Sequence, residues 1–232
     1  MMKKILSVVC AFVLLGTGSV SAQRIDSPYR FLDHSQFVGV YAGQTWMPDG
    51  ELSLGPASAM TAGVRWALRV SGPFAISADV GYTPTTRPVR DTTFVAADSM
   101  YRQVGEADAR LLSVLAGLRI SLMGARTWNG LHPFVELGGG VAVDLAGASA
   151  AEADLPADVR WDFGTSFAGL AGAGIEWFPS DRLSFRVDAR NVLWKLKVPE
   201  AFLFAETSAE RRIGASTWES NYSLTAGLSF HF

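Results

Sequence analysis

Asn221-Tyr-Ser-Leu-Thr-Ala-Gly-Leu-Ser-Phe-His-Phe232 ends the chain, and its alternation decides the fold. Tyr222, Leu224, Ala226, Leu228, Phe230 and Phe232 are apolar, and the residues between them, Ser223, Thr225, Gly227, Ser229 and His231, are small or polar. A period of two is that of a β-strand, whose successive side chains point to opposite faces. The segment should therefore have one greasy face and one wet face.

Seven earlier segments read in the same way, so that strand-like patterning covers 36–46, 59–70, 74–83, 110–123, 132–143, 165–178, 182–193 and 219–232. Each is about the ~9–11 residues that a tilted strand needs to cross a bilayer, or somewhat longer. The connections alternate in length. Ser71-Gly72-Pro73 and Pro179-Ser180-Asp181 are tight and 124–131 is of medium length, whereas 47–58, 84–109, 144–164 and 194–218 are long. Short turns at one end and long loops at the other are the pattern of a membrane-spanning up-and-down barrel, with the short turns periplasmic. The expected fold is all-β, an eight-stranded antiparallel transmembrane β-barrel. Two extra strands within 84–109 or 194–218 would make ten.

The amino terminus reads as an export signal. Lys3 and Lys4 precede the mostly apolar run Ile5 to Leu15, and Val20-Ser21-Ala22 is a small-residue cleavage site, so the mature chain is expected to begin at Gln23, after Ala22. Residues 1–22 are then the signal peptide, 23–35 a short polar lead-in and 36–232 the barrel. The only cysteine, Cys10, lies inside the apolar run, so the processed chain has no thiol chemistry. The formal charge of −2 is mildly acidic, and no basic patch or stripe suggests a nucleic-acid partner.

Aromatic residues gather near the strand ends, as the two girdles of a bilayer-spanning barrel require. Phe74, Trp128, Trp177, Phe178, Phe230 and Phe232 are expected low, and Trp46, Tyr82, Phe167, Trp194, Trp218 and Tyr222 high. Gly138-Gly139-Gly140, Gly169, Gly172 and Gly174 fall within strands and would make room for large inward side chains. The first strand is ambiguous, because Phe37, Gly39, Tyr41 and Gly43 interleave with Val38, Val40 and Ala42.

The main constellation is charge on the inward faces: Arg65, Arg69, Asp79, Arg119, Glu136, Glu176, Arg186 and Asp188. Pairing Val70 with Phe74 across the first tight turn puts Arg65 opposite Asp79. Pairing Met123 with His132 puts Arg119 opposite Glu136. Around 179–181, Glu176 falls opposite Ser184, with Arg186 as its diagonal neighbour. Each short-turn hairpin would then carry an arginine–carboxylate pair. An eight-stranded barrel is just wide enough for side chains to fill it, and buried charges must be paired. The expected result is a plugged polar lumen rather than a catalytic one.

Enzymatic and metal-binding readings are poorly supported by the residues. His34, His132 and His231 all fall at the short-turn end, and the carboxylates Asp49, Asp91, Glu152 and Asp162 read as solvated loop charge. Asp154, Asp158 and Asp162 lack the spacing of a calcium loop, and no glycine-rich phosphate motif is present. No catalytic residue, metal or cofactor is assigned. Loop 144–164 carries Glu152, Asp154, Asp158 and Asp162. Loop 194–218 carries Lys195, Lys197, Arg211 and Arg212 beside Phe202-Leu203-Phe204.

Gly227-Leu-Ser-Phe-His-Phe232 and Phe178-Pro-Ser-Asp-Arg-Leu-Ser-Phe-Arg-Val-Asp188 resemble the small outer-membrane β-barrel proteins of the OmpA/OmpX/OmpW-like type. The resemblance covers essentially all of 36–232. It implies a bacterial outer-membrane location, with Tyr222, Phe230 and Phe232 as a carboxyl-terminal insertion signal read by the barrel-assembly machinery. It also implies contact with outer-membrane lipid and lipopolysaccharide, and possible surface ligands on loops 47–58, 84–109, 144–164 and 194–218. No peptidoglycan-binding domain follows the barrel segment in this sequence, so wall anchoring is not implied. The first expectation is a non-enzymatic barrel with a structural or surface-interaction role. A narrow channel for small or hydrophobic solutes is the alternative, and a lipid-modifying hydrolase ranks below both. A soluble ligand-carrying barrel would have the opposite polarity, apolar inside and polar outside.

Overall fold

A computed structural model describes residues 27–48, 54–95, 100–147, 149–161, 163–203 and 216–232. The Ala22–Gln23 cleavage position, Cys10, Asp49, Asp162, Phe204, Arg211 and Arg212 lie outside the described residues. The strands are β1 (Tyr29–Phe31), β2 (Gln36–Trp46), β3 (Ala59–Ser71), β4 (Phe74–Val95), β5 (Met100–Ser121), β6 (Arg126–Trp128), β7 (Leu131–Asp144), β8 (Thr165–Trp177), β9 (Leu183–Lys197) and β10 (Ser216–His231). Eight of them form a closed antiparallel ring in the order β2-β3-β4-β5-β7-β8-β9-β10. β10 closes it on β2, with Tyr222 opposite Trp46 and His231 opposite Phe37. At the lower end Gln36 and Phe232 exchange backbone hydrogen bonds of 3.2 and 3.0 Å.

Alternation gives the ring its polarity. Val38, Val40, Val64, Ile76, Val80, Leu118, Val187, Leu224 and Leu228 all point outward and are exposed. Arg65, Asp79, Arg119, Glu136, Glu176, Arg186 and Asp188 point inward and are buried. This is the polarity of a barrel in hydrocarbon and the reverse of a soluble carrier. The ambiguity of β2 is resolved by size: Phe37 and Tyr41 turn inward with Gly39, while Val38 and Val40 face out. Tyr41 fits because its neighbours across the sheet are glycines, and a Cβ on Gly63 would stand 2.5 Å from the Tyr41 ring.

The structure corrects several expectations. The extra pair of strands does not come from the long loops: β1 pairs with β6 below the ring, with Tyr29 opposite Trp128 and Phe31 opposite Arg126. The lead-in and the medium turn therefore contain strand. Segment 84–109 is no loop, since β4 and β5 continue as a hairpin from Tyr82 opposite Leu112 up to Val95 opposite Met100. Pro84 and Pro88 are tolerated in this stretch because the paired register of β3 with β4 ends at Tyr82, leaving one side of β4 without a strand neighbour. A bulge at Val70 puts Ser71, not Val70, opposite Phe74. Two aromatics expected in the girdles are inside: Phe178 is 3% and Trp194 5% exposed. Trp194 follows the inward parity of β9. Phe178 leaves β8, where its backbone N–H bonds to Gly130 at 2.8 Å, and fills the lower end of the lumen.

A charge placed on the outward face tests the position of the belt. Val64→Arg lies between outward Val40 and Val80, and should destabilise the barrel by ~2–4 kcal/mol in urea titrations in lipid vesicles. Val104→Arg, on the hairpin beyond the ring, should leave the midpoint nearly unchanged. Equal effects at both positions would contradict this placement.

Candidate functional site

Inward residues of six strands build one ionic lattice in the lower half of the lumen. Its cations are Arg65 on β3, Arg119 on β5, and Arg186 and Arg190 on β9. Its anions are Asp79 on β4, Glu136 on β7, Glu176 on β8 and Asp188 on β9. Four guanidiniums thus face four carboxylates, and the lattice is formally neutral.

The registers bring Arg65 opposite Asp79 and Arg119 opposite Glu136. Only the first of these neighbours is also an ion pair, with Arg65 Nε 2.9 Å from Asp79 Oδ2. Arg119 instead reaches past β7 to Glu176 in a two-pronged contact, Nη1 to Oε1 at 2.8 Å and Nη2 to Oε2 at 2.6 Å. Glu136 is held from the other direction by Arg186 at 3.0 Å and by the Ser77 hydroxyl. Phe134 explains the exchange: its ring is flanked by the guanidiniums of Arg119 and Arg186, 4.0 and 4.1 Å from the centroid. Apart from Arg65–Asp79 and a longer 3.9 Å contact of Arg186 with Glu176, these contacts reach past a neighbouring strand, Arg119 to Glu176 and Arg186 to Glu136. The register of β8 with β9 also differs from expectation, since Glu176 stands directly opposite Arg186, not Ser184.

Arg190 and Tyr41 belong to the lattice although neither was assigned to it from the sequence. Arg190 lies 3.2 Å from Asp79 and 3.1 Å from Asp188. Tyr41 donates its hydroxyl proton to Asp79 Oδ1 at 2.8 Å, and its ring lies beneath Arg65 and Arg190 at 4.6 and 4.8 Å. Period two along Ser184, Arg186, Asp188 and Arg190 was the available signal for Arg190. Asp188 sits at the centre, accepting from Thr225 at 2.9 Å and Arg186 at 3.2 Å as well as lying near Arg65. Arg69 stands apart: its Nη1 donates to the Leu32 carbonyl at 2.8 Å at the lower mouth.

Aromatic rings close the bottom. Phe178 lies 4.8 Å from His231 and 6.0 Å from His132, and Phe37 lies 5.3 Å from His231. Ser184 Oγ and His231 Nε2 are 2.8 Å apart, which resembles a nucleophile with its base. Ser184 is fully buried and offers no approach to a substrate. Among the described residues, no cluster of three or more metal-ligating side chains occurs.

Above the lattice the lumen turns apolar. Met47, Leu111, Leu115, Phe163, Leu170, Trp194 and Leu196 form one cluster, and Leu54, Tyr101, Val159 and Phe202 a second beneath the loops. The connection after β7 carries a helical turn at Ala150–Glu152, and Glu152 is pinned to Arg87 of β4 at 2.7 Å. Higher on the hairpin, Asp91 is held below the ordinary carboxylate value. Slight desolvation opposes the shift, and hydrogen bonds from Arg102 and Thr93 outweigh it.

Comparison with solved structures places this architecture. The outer membrane protein OprG from Pseudomonas aeruginosa matches with a TM-score of 0.56 at 13% identity, over 89% of this chain and 99% of that one. Neisserial surface protein A matches with a TM-score of 0.46 at 13% identity, over 89% and 98%. The attachment invasion locus protein Ail of Yersinia pestis matches with a TM-score of 0.38 at 13% identity, over 85% and 99%. No protein-family description and no curated protein matches the chain. The fold is that of the small outer-membrane β-barrels.

Removing one partner of the lattice leaves a buried charge uncompensated. Arg119→Ala leaves Glu176 only the longer Arg186 contact, at 3.9 Å, with a guanidinium and should destabilise the barrel by about 3–5 kcal/mol. Arg119→Met with Glu176→Gln removes both charges and should recover most of that loss. A double-mutant cycle by urea titration in lipid reads it, and additive losses would show that the pair is not coupled.

Proposed function

We propose that this chain is a bacterial outer-membrane barrel, exported with cleavage after Ala22, that has a structural and surface-interaction role and a lumen closed by its own side chains. The observation that carries this reading is the neutral lattice of four arginines and four carboxylates on an aromatic floor. Free space beside Arg119, His132 and Glu176 amounts to about 30 Å³, room for a water or two and not for a solute path. The apolar outward face supports contact with outer-membrane lipid and lipopolysaccharide. Exposed Tyr222 and Phe230 on the closing strand, and Phe232 directly after it, support recognition by the barrel-assembly machinery.

The role is read as non-enzymatic. The lumen's Ser184–His231 pair is sealed, and the long connections gather at the end opposite His132 and His231. Loops on a rigid scaffold are where recognition usually resides. Here the scaffold extends well past the belt through the β4–β5 hairpin, which supports binding at the outer end. A narrow channel would need the lattice or its floor to part.

Two measurements separate these readings. The purified chain should migrate differently on a detergent gel with and without boiling, and it should give no steady conductance in planar bilayers. Shortening the central blocks with Phe134→Ala and Arg186→Ala together should raise conductance above that baseline. A steady, ion-selective current through the unaltered protein would favour the channel. A chain recovered only from the soluble periplasm without a gel shift would overturn the membrane assignment.

A further inference from the structure

The outer end of the molecule contains a cavity of about 510 Å³ that has no part in closing the lumen. Its described lining includes Arg87 on β4, Asp144 at the end of β7, and Ser149, Glu152, Arg160 and Trp161 beyond it. Its size falls within the ~300–1,000 Å³ range of small-molecule sites. From these residues we infer that the cavity is a binding site for a neutral saccharide. The inference rests on the reading of this end as the outer, solvent-facing one.

The donor and acceptor pattern selects the ligand class. Arg87 Nη2 already pairs with Glu152 at 2.7 Å, and Glu152 Oε1 accepts the Trp161 backbone N–H at 3.2 Å. Arg160 donates to the carbonyls of Leu155 and Ala153, both at 2.9 Å, which ties down the loop. Asp144 uses Oδ1 to accept from the backbone N–H groups of Arg110 and Ala146, both at 2.9 Å. What these bonds leave over is mixed: a second carboxylate oxygen on Asp144, the hydroxyl proton of Ser149, whose oxygen already accepts the Ala151 N–H at 3.2 Å, and Arg87 Nε, which is buried and lacks a hydrogen-bond partner. The described lining carries two guanidiniums and two carboxylates, so an anion meets Asp144 and Glu152 and a cation meets Arg87 and Arg160. A purely apolar ligand would strip water from these polar groups and replace none of its hydrogen bonds. A neutral polyol both donates and accepts, which satisfies carboxylate and guanidinium together.

Trp161 supplies the second half of the fit. It is half-buried, packs against both apolar clusters, and so is held rigid where it lines the cavity. The Arg87 guanidinium lies over the indole at 5.8 Å from its centroid, so the part of the indole left to the cavity stands beside hydrogen-bonding side chains, a pairing that matches the apolar C–H groups and the hydroxyl rim of a sugar ring. The Arg87–Glu152 pair fixes this wall to the hairpin, so the cavity is built before any ligand arrives.

Saturation-transfer NMR on the full mature chain in phospholipid nanodiscs tests the site. The probes are methyl β-glucoside, methyl β-galactoside, methyl α-mannoside and maltose, with glucuronate and glucosamine as charged counterparts. At least one neutral glycoside should show transfer with millimolar affinity. Trp161→Ala should weaken it at least tenfold, Trp161→Phe should restore most of it, and Asp144→Asn should weaken it several-fold. Trp218→Ala, on the outward face, should change nothing. Every variant is checked for heat-dependent gel mobility. If Trp161→Ala loses that mobility, Asp144→Asn decides the question. An intact barrel that binds none of the neutral glycosides, prefers the charged ones, or binds equally without the Asp144 carboxylate overturns the saccharide site. Absence of the mobility shift in the unaltered chain would instead fault the barrel assignment.

Discussion

Ring closure is the constraint from which the rest follows. Within hydrocarbon no water is available to unpaired backbone groups, so a sheet can persist there only if its last strand pairs with its first. In this chain β10 and β2 meet along ten residue pairs, from Tyr222–Trp46 to His231–Phe37. Closure at eight strands makes the lumen narrow, and a narrow lumen must be filled by the strands that surround it. Every inward residue then has inward neighbours, and none of its charges can rely on bulk water.

The lattice is the consequence. A guanidinium in this setting requires a carboxylate within reach, and its remaining surface requires something other than water. Phe134 and Tyr41 meet the second need, each ring serving two arginines. These aromatics in turn need space that a side chain on the neighbouring strand would occupy. Gly63 and Gly81 leave it for Tyr41, and Gly174 leaves it for Phe134, whose Cζ would otherwise lie 2.6 Å from a Cβ. Glycines that weaken strand propensity thus permit the charges to be neutralised and packed.

Much of this was legible in the sequence, and the parts that were not failed for identifiable reasons. Period-two alternation found the eight ring strands because a bilayer outside and a lumen inside impose different solvents on the two faces. The same logic stops above the belt. From Thr83 to Val95 β4 runs beyond its pairing with β3 and intersperses threonine, proline and arginine, so it reads as loop. The tiny β1–β6 pair lies below the belt and is equally silent. Register could be counted from the shorter connections, which put Arg65 beside Asp79 and Arg119 beside Glu136. It could not say which side chains touch, because an arginine is long enough to pass its neighbour. Arg119 bonds with Glu176 across the intervening strand for that reason. The missed bulge at Val70 and the inward turn of Phe178 show a related limit, since both depend on local backbone choices at turns.

The upper end uses the same device as the lumen for a different purpose. Arg87 and Glu152 form a buried ion pair, but one partner belongs to the hairpin and the other to a loop. In the lumen a broken pair would strand a charge inside a closed wall. At the mouth the pair is what holds the 145–164 connection against the barrel, with Arg160 binding that connection to itself. Tyr101 and Phe202, 4.9 Å apart, add an apolar clasp between the hairpin and the segment after β9. On the proposed reading of a closed lumen, recognition falls to this outer surface, which these contacts shape in advance.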